Sequence, residues 1–296
     1  MVLILLFIVF VLITMIFLSK RGRVGIASLM KDPHQIETWI NFHKKSGASK
    51  LYIYWDSDEP MPKEDSVVKV TRVTQDFLDS NGYHIESGWD NPTITNEKQR
   101  VAVDHALSQD EVDWVFHIDA DEILYTPDKN LVKLVDEFDN DPMVDTWVIQ
   151  NVELAPDRDD YSNCFKEGKK FRRGENMVAY GNGKSAGRLG TSKSFGPHRF
   201  VSTRNGQERE LPIERIRVLH FVSCNLEEYM KKYQQYGKFK DDIWDWAVFH
   251  RKSRDVLTSC SSKEACTAQA RDLFNKERIA KPEEQLIELE TPIDTE

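Results

Sequence analysis

The chain has no excess of positive charge. Its 40 Lys and Arg stand against 49 Asp and Glu, giving a net charge of -9 and a pI near 5.5. That balance argues against a broad surface for gripping phosphate backbones, and no nucleic-acid partner is expected. Cysteine is scarce, with residues only at Cys164, Cys224, Cys260 and Cys266. These make no C-x-x-C pair and have no matching His pattern, which argues against a structural zinc site. Cys260 and Cys266 are near enough in sequence to pair, but spacing leaves that open, and the redox compartment with it. No internal repeat is visible. The one Asn-x-Ser/Thr match, Asn91-Pro92-Thr93, is disqualified by its proline.

Long apolar runs are absent with one exception. Val2 to Leu18 contains no charge and one polar group, Thr14. As a helix it would be about 25 Å long, just enough for a thin bilayer. Ser19-Lys20-Arg21-Gly22-Arg23 follows in place of a small-residue cleavage site, so residues 1–19 are expected to be a retained transmembrane anchor. The basic cluster lies after the span, which under the positive-inside rule puts the large domain in the cytoplasm; an ER or Golgi lumenal placement is the alternative.

What remains is enough for one large core, at 40% hydrophobic content. We expect a domain over 24–250 and a charged C-terminal extension over 251–296, with the acidic stretch from Pro282 to Glu296 peripheral or disordered. Seven Trp and nine Tyr offer flat faces that suit sugars, although core packing accounts for most of them.

Periodicity predicts strands at Val24–Leu29, Lys50–Trp55, Val67–Val73, Trp114–Ile118, Thr146–Ile149 and Ile216–Phe221. Helices are expected from Asp32-Pro33 to Gly47, with Asp32 as cap, and over about Glu97–Leu107, Asn130–Phe138 and Leu226–Tyr236. Strands alternating with helices predict an α/β layer with a mostly parallel central sheet flanked by helices. Ligands of such a sheet bind beyond the C-terminal strand ends, where Asp56 and Asp119 fall.

The densest chemical signal is Trp114-Val115-Phe116-His117-Ile118-Asp119-Ala120-Asp121-Glu122-Ile123-Leu124. A buried strand cannot carry unpaired carboxylates, so the acids belong where it leaves the sheet. In extended backbone Asp119 and Asp121 point to the same side. Two adjacent hard oxygen ligands suit Mg²⁺ or Mn²⁺ and, through the metal, a phosphate group. A plain polar strand exit is the alternative. Further on, residues 156–196 are rich in Lys, Arg and Gly within an acidic chain. Paired carboxylates, an isolated Asp56 and a later cationic segment are the parts a nucleotide-sugar site needs.

The chain resembles glycosyltransferases of the GT-A fold, in particular the family 2-like and family 92 groups. The resemblance rests on Glu37-Thr38-Trp39-Ile40-Asn41-Phe42-His43 with Gly47, Tyr52-Ile53-Tyr54-Trp55-Asp56, and Trp114 through Ile123. It continues through Gly183-Lys184-Ser185, Gly196-Pro197-His198, and His220-Phe221 followed by Leu226-Glu227-Glu228-Tyr229-Met230-Lys231. It implies transfer of a sugar from a UDP-sugar to a hydroxyl of a glycoprotein or glycolipid glycan, with Mn²⁺ or Mg²⁺ and inversion of configuration. Asp119 and Asp121 would hold the metal with His220, for which a core role is equally open. Asp56 would meet uridine and ribose, Lys184 and Arg188 the diphosphate, and Glu122 would orient the loop. His43 reads as a packing residue, and His198 as either a turn residue or an acceptor or metal contact. Inversion needs a base, for which Glu153 and Asp157 are candidates. Two other readings are a membrane-tethered glycan-binding protein without turnover, and a metal-dependent nucleotidyltransferase or phosphohydrolase. The intact Asp-x-Asp weighs against the first. The lack of acids in Val24–Leu29 weighs against the second.

Overall fold

The computed structural model describes residues 22–31, 33, 35–84, 92–238, 248–289 and 293. The expected anchor over 1–19 and the Asp32 cap lie outside these residues. Among the described residues no helix is long and apolar enough to cross a membrane.

Strands β1 (Val24–Met30), β2 (Lys50–Trp55), β3 (Val68–Arg72) and β4 (Trp114–His117) run parallel in the order β3-β2-β1-β4. β1 is buried at every position, as expected of a parallel strand covered on both faces. The sheet continues through β9 (Lys184–Arg188), which is antiparallel to both β4 and β6 (Val144–Ile149), and ends at β12 (Gln207–Glu210) beside β6. The expected α/β class with a mostly parallel central sheet and flanking helices is what the chain adopts.

Nothing in the periodicity announced a second sheet. It takes the order β14-β8-β7-β13-β5, built from Ile287–Glu288, Lys170–Arg172, Asn151–Leu154, Arg217–His220 and Glu122–Tyr125. Its strands are two to four residues long and pair mostly across large sequence distances, and only β13 (Arg217–His220) is among the strands that periodicity marks.

Helix α1 (Ile36–Lys45) packs Trp39, Ile40 and Phe42 into the core and starts later than expected, after Gln35 in a left-handed conformation. Helix α2 (Gln75–Ser80) is capped by Thr74. Helix α3 (Pro92–Leu107) begins five residues before the expected Glu97 and covers the other sheet face with Val101, Ala102 and Val103. Helix α4 (Leu131–Phe138) is capped by Asn130, α5 (Cys164–Glu167) by Asn163 and α6 (Leu226–Tyr236) by Asn225, each side chain accepting an otherwise orphaned backbone N–H.

The segment read as a charged C-terminal extension packs against the elements before it. Helices α7 (Val248–Thr258) and α8 (Lys263–Glu277) pack Phe249, Leu257 and Phe274 against Tyr229 and Tyr233 of α6. Just past α8, Arg278 is wholly buried, and it ion-pairs with Glu153 while donating to the Leu154 and Val222 carbonyls. The acidic end is partly built in as well, since β14 pairs with β8 and Leu289 and Ile293 are buried. All four cysteines are used: Cys260 pairs with Cys266 between α7 and α8, and Cys164 with Cys224, ahead of α6.

Candidate active site

The Asp119-Ala120-Asp121 turn joins β4 of the first sheet to β5 of the second, so it lies where the parallel strands end. Its backbone is held from beneath by α1. The Trp39 indole donates to the Glu122 carbonyl at 2.8 Å, and the Leu124 N–H donates to His43 Nε2 at 3.1 Å. Because Nε2 must accept, the His43 proton sits on Nδ1 and goes to the Trp39 carbonyl at 2.9 Å. Burial pulls the pKa of His43 down to about 3, so the ring stays neutral. The expected packing role of His43 is thus a specific one, gripping the strand after the acids.

Around the turn, cations meet the carboxylates one to one. The Lys184 ammonium, fully buried, donates to Asp119 Oδ2 at 2.7 Å and to the Pro197 carbonyl at 3.3 Å. The Lys232 ammonium on α6 donates to Asp121 Oδ2 at 3.2 Å. Gln99 of α3 donates to Asp119 Oδ1 at 2.7 Å. His220, at the end of β13, places Nε2 3.6 Å from Asp121 Oδ2, while its Nδ1 is buried without a hydrogen-bond partner. The aspartate side chains remain 27% and 37% exposed, so the turn is open to a ligand.

Burial alone would raise the pKa of both aspartates, but Lys184 outweighs it at Asp119, and Lys232 with His220 outweighs it at Asp121. Both stay ionised. Burial works against the charge of the two lysines as well, and there too the facing carboxylates prevail. Glu122 differs. Wholly buried, with Asp119 and Asp121 near, it is pushed well above the usual carboxylate range. As a neutral acid it accepts from the Asp119 N–H at 2.7 Å and from the Tyr180 hydroxyl, fixing the loop as expected. Two carboxylates against two ammonium groups leave the cluster close to neutral overall.

The lysine of β9 is aimed by a glycine. Gly183 has φ +66°, and a Cβ there would come within 2.2 Å of the Ile149 carbonyl oxygen. Its carbonyl accepts from His198 Nδ1 at 2.9 Å. His198, its ring tilted against that of Tyr180, and His117, beneath Asp119, are both kept neutral by burial, with pKa values lowered to about 4 and about 3.

Asp56 lies at the end of β2 on the same sheet edge and accepts from Lys98 at 2.7 Å. Lys98 and Gln99 are consecutive on α3, so one turn of helix serves Asp56 and Asp119 together. Three expected site residues fall elsewhere. Arg188 is at the far end of β9 from Lys184, beside Trp114 at the start of β4; its guanidinium is taken by Asp139, the Asp141 and Val144 carbonyls and the Trp114 ring. Glu153 is buried, bound to Arg278 and to the Val178 and Ala179 N–H groups, which leaves it no freedom to take a proton from an acceptor. Asp157 is exposed, accepts from the Tyr161 hydroxyl at 3.0 Å, and lines a shallow cavity of about 250 Å³ with Glu167 and Lys169, none of it shared with the Asp119 cluster. Sequence reading missed Lys232, Gln99, Lys98 and Tyr180. For Lys232 the signal was its place one residue beyond the family-like Leu226–Lys231 stretch.

A glycosyltransferase-like protein of Arabidopsis thaliana, At3g57200, is 24% identical over 227 residues, covering 62% of this chain. The chain spans only 44% of that relative's length. Among solved structures, the crystal structure of residues 1–349 of S. aureus TarS aligns over 86% of this chain and 72% of its own at 10% identity, with a TM-score of 0.34, too slight a likeness to argue from. Residues 25–251 match the family model of glycosyltransferase family 92, and this chain belongs to that family.

Proposed function

We propose that this glycosyltransferase takes its sugar from a nucleotide-diphosphate donor, UDP-linked, bound on a GT-A fold at the Asp119–Asp121 turn, and passes it to a hydroxyl of a glycan. The observation that carries the reading is the meeting of two ionised aspartates and two lysines at the C-terminal edge of the parallel strands.

For a divalent ion the donor chemistry fits: Asp119, Asp121 and the imidazole of His220, whose Nδ1 has no other partner, are the hard-oxygen and nitrogen ligands that Mn²⁺ accepts. Among the described residues no three acid, His or Cys side chains are already gathered for an ion, because the aspartates hold ammonium groups instead. Both ammonium groups end flexible four-carbon stems and can turn from carboxylate to phosphate. When bound, Mn²⁺ or Mg²⁺ supplies Lewis acidity toward the departing diphosphate.

The remaining steps belong to the chain. Lys184 and Lys232 place positive charge where the diphosphate gathers negative charge as the glycosidic bond breaks. Glu122 stays neutral and holds the turn through the Asp119 N–H. Asp56, on the β2 side, offers a carboxylate to the ribose hydroxyls once Lys98 shares it. Inversion needs a carboxylate to receive the acceptor proton, and neither expected base lies at the turn: Glu153 is committed to Arg278 and Asp157 belongs to a separate cavity.

The cysteines support one of the two placements. Two disulfides with no free thiol are characteristic of oxidising compartments, so of the two placements the ER or Golgi lumen is proposed over the cytoplasm that the flanking charges favoured. The functional reading is tested by UDP release with Mn²⁺, Mg²⁺ or chelator across a panel of UDP-sugars. Expected is metal-dependent release with one donor and a rise in melting temperature with UDP and Mn²⁺. Equal release in chelator, or no UDP effect on melting, would overturn it.

A further inference from the structure

The hairpin of β10 (Ser192–Ser194) and β11 (Phe200–Ser202) turns at the site edge, and Phe195 opens the turn between them. Its side chain is 71% exposed, and it is the only aromatic among the exposed large apolar residues described. A single exposed apolar side chain is ordinary on a protein surface; what singles out Phe195 is its place beside the site.

The turn around it is held firmly. The Ser194 N–H donates to Asp104 Oδ1 of α3 at 2.7 Å, and the Phe195 N–H donates to the Arg199 carbonyl at 2.8 Å. The turn is also part of the site, through the Pro197 carbonyl that receives Lys184 and through His198, which donates to Gly183. Phe195 therefore sits within about 7 Å of chain from a group that touches the Lys184 ammonium.

Sheet order says which part of the reaction lies there. Asp56 on β2 and Lys184 on β9 are separated by β1 and β4, three strand spacings or about 14 Å. A donor with its nucleoside over β2 and its diphosphate at the β4 turn directs its sugar, and the incoming acceptor, toward β9 and this hairpin. A benzene ring offers hydroxyls only a weak acceptor, but its flat apolar face matches the C–H face of a pyranose.

We propose that Phe195 is the stacking platform for the acceptor, holding a sugar ring of the receiving glycan by its apolar face beside Lys184. The inference rests on the donor arrangement proposed above. Its test uses the whole chain, UDP with Mn²⁺, and the methyl β-glycosides of galactose, glucose, mannose and N-acetylglucosamine as probes, with binding followed by NMR and UDP affinity by calorimetry. Expected is binding of at least one glycoside, weakened about three- to tenfold in Phe195→Ala and kept in Phe195→Trp, with UDP affinity and melting temperature unchanged. Equal glycoside binding by Phe195→Ala, a loss of UDP affinity in that variant, or no glycoside bound by the wild type would overturn it. UDP binding by the wild type reports on the donor site and glycoside binding on Phe195, so the two readings fail separately.

Discussion

Two buried acids flank His220 in the second sheet, Glu122 across from it on β5 and Glu153 across from it on β7. Both are fully buried, yet they are provided for in opposite ways. Glu153 faces the permanent charge of Arg278 and two backbone N–H groups, and Arg278 spends its remaining terminal nitrogen on two carbonyls. That pair is closed to solvent. Glu122 is neutral, and the charge beside it is carried by Asp119 and Asp121, partly exposed and balanced by lysines with long stems. A closed pair holds the fold, whereas an open, balanced cluster can exchange its partners for a ligand.

The strongest way to break this contrast is to remove one half of the closed pair. Arg278→Ala strands a buried carboxylate and is expected to cost about 3–5 kcal/mol in chemical denaturation, with Glu153→Gln added to it recovering part of the loss. A small effect would mean that Glu153 is less committed than its contacts indicate, and would reopen it as a base.

On the open side the order of effects reverses. Asp121→Asn should cut sugar transfer by more than about a hundredfold while leaving the denaturation midpoint nearly unchanged. Unchanged turnover would remove Asp121 from the site. Lys232→Gln is expected to weaken UDP binding by about tenfold, read by calorimetry at low salt. If instead it lowered only stability, Lys232 would belong with Arg278 as a structural cation.

The smallest effect concerns protons. His43 has its pKa lowered to about 3, below the ordinary value of 6.5, so between those limits the unfolded chain binds the proton and the folded one does not. Stability is therefore expected to fall as pH drops from about 6.5 toward 3. His43→Gln should flatten that slope in melting curves taken at pH 7 and pH 5. An unchanged slope would assign the acid loss to other groups.

How legible all this was depended on distance along the chain. β2 and α6 were readable to the residue, because Lys50–Trp55 is a dense apolar run and Asn225 caps an amphipathic stretch. Asp119 and Asp121 were readable because abrupt acidity after an apolar run is itself local. Arg188 was misplaced because composition does not say which end of a strand a cation occupies. Lys184 and Arg188 share β9 but are about 13 Å apart along it. Lys232 looked like any solvated charge on a helix, since its partner is 111 residues away. The same holds for Arg278 and Glu153, 125 residues apart and joined only when the second sheet forms.

Arg278 also sets a practical boundary for shortening the protein. A fragment ending at residue 251, where the family match stops, would keep every proposed donor contact yet lose α8 and the guanidinium plugged beneath β7. Such a truncation would expose Tyr229 and Tyr233 along with the orphaned acid, and is expected to be recovered as aggregate rather than as a minimal enzyme.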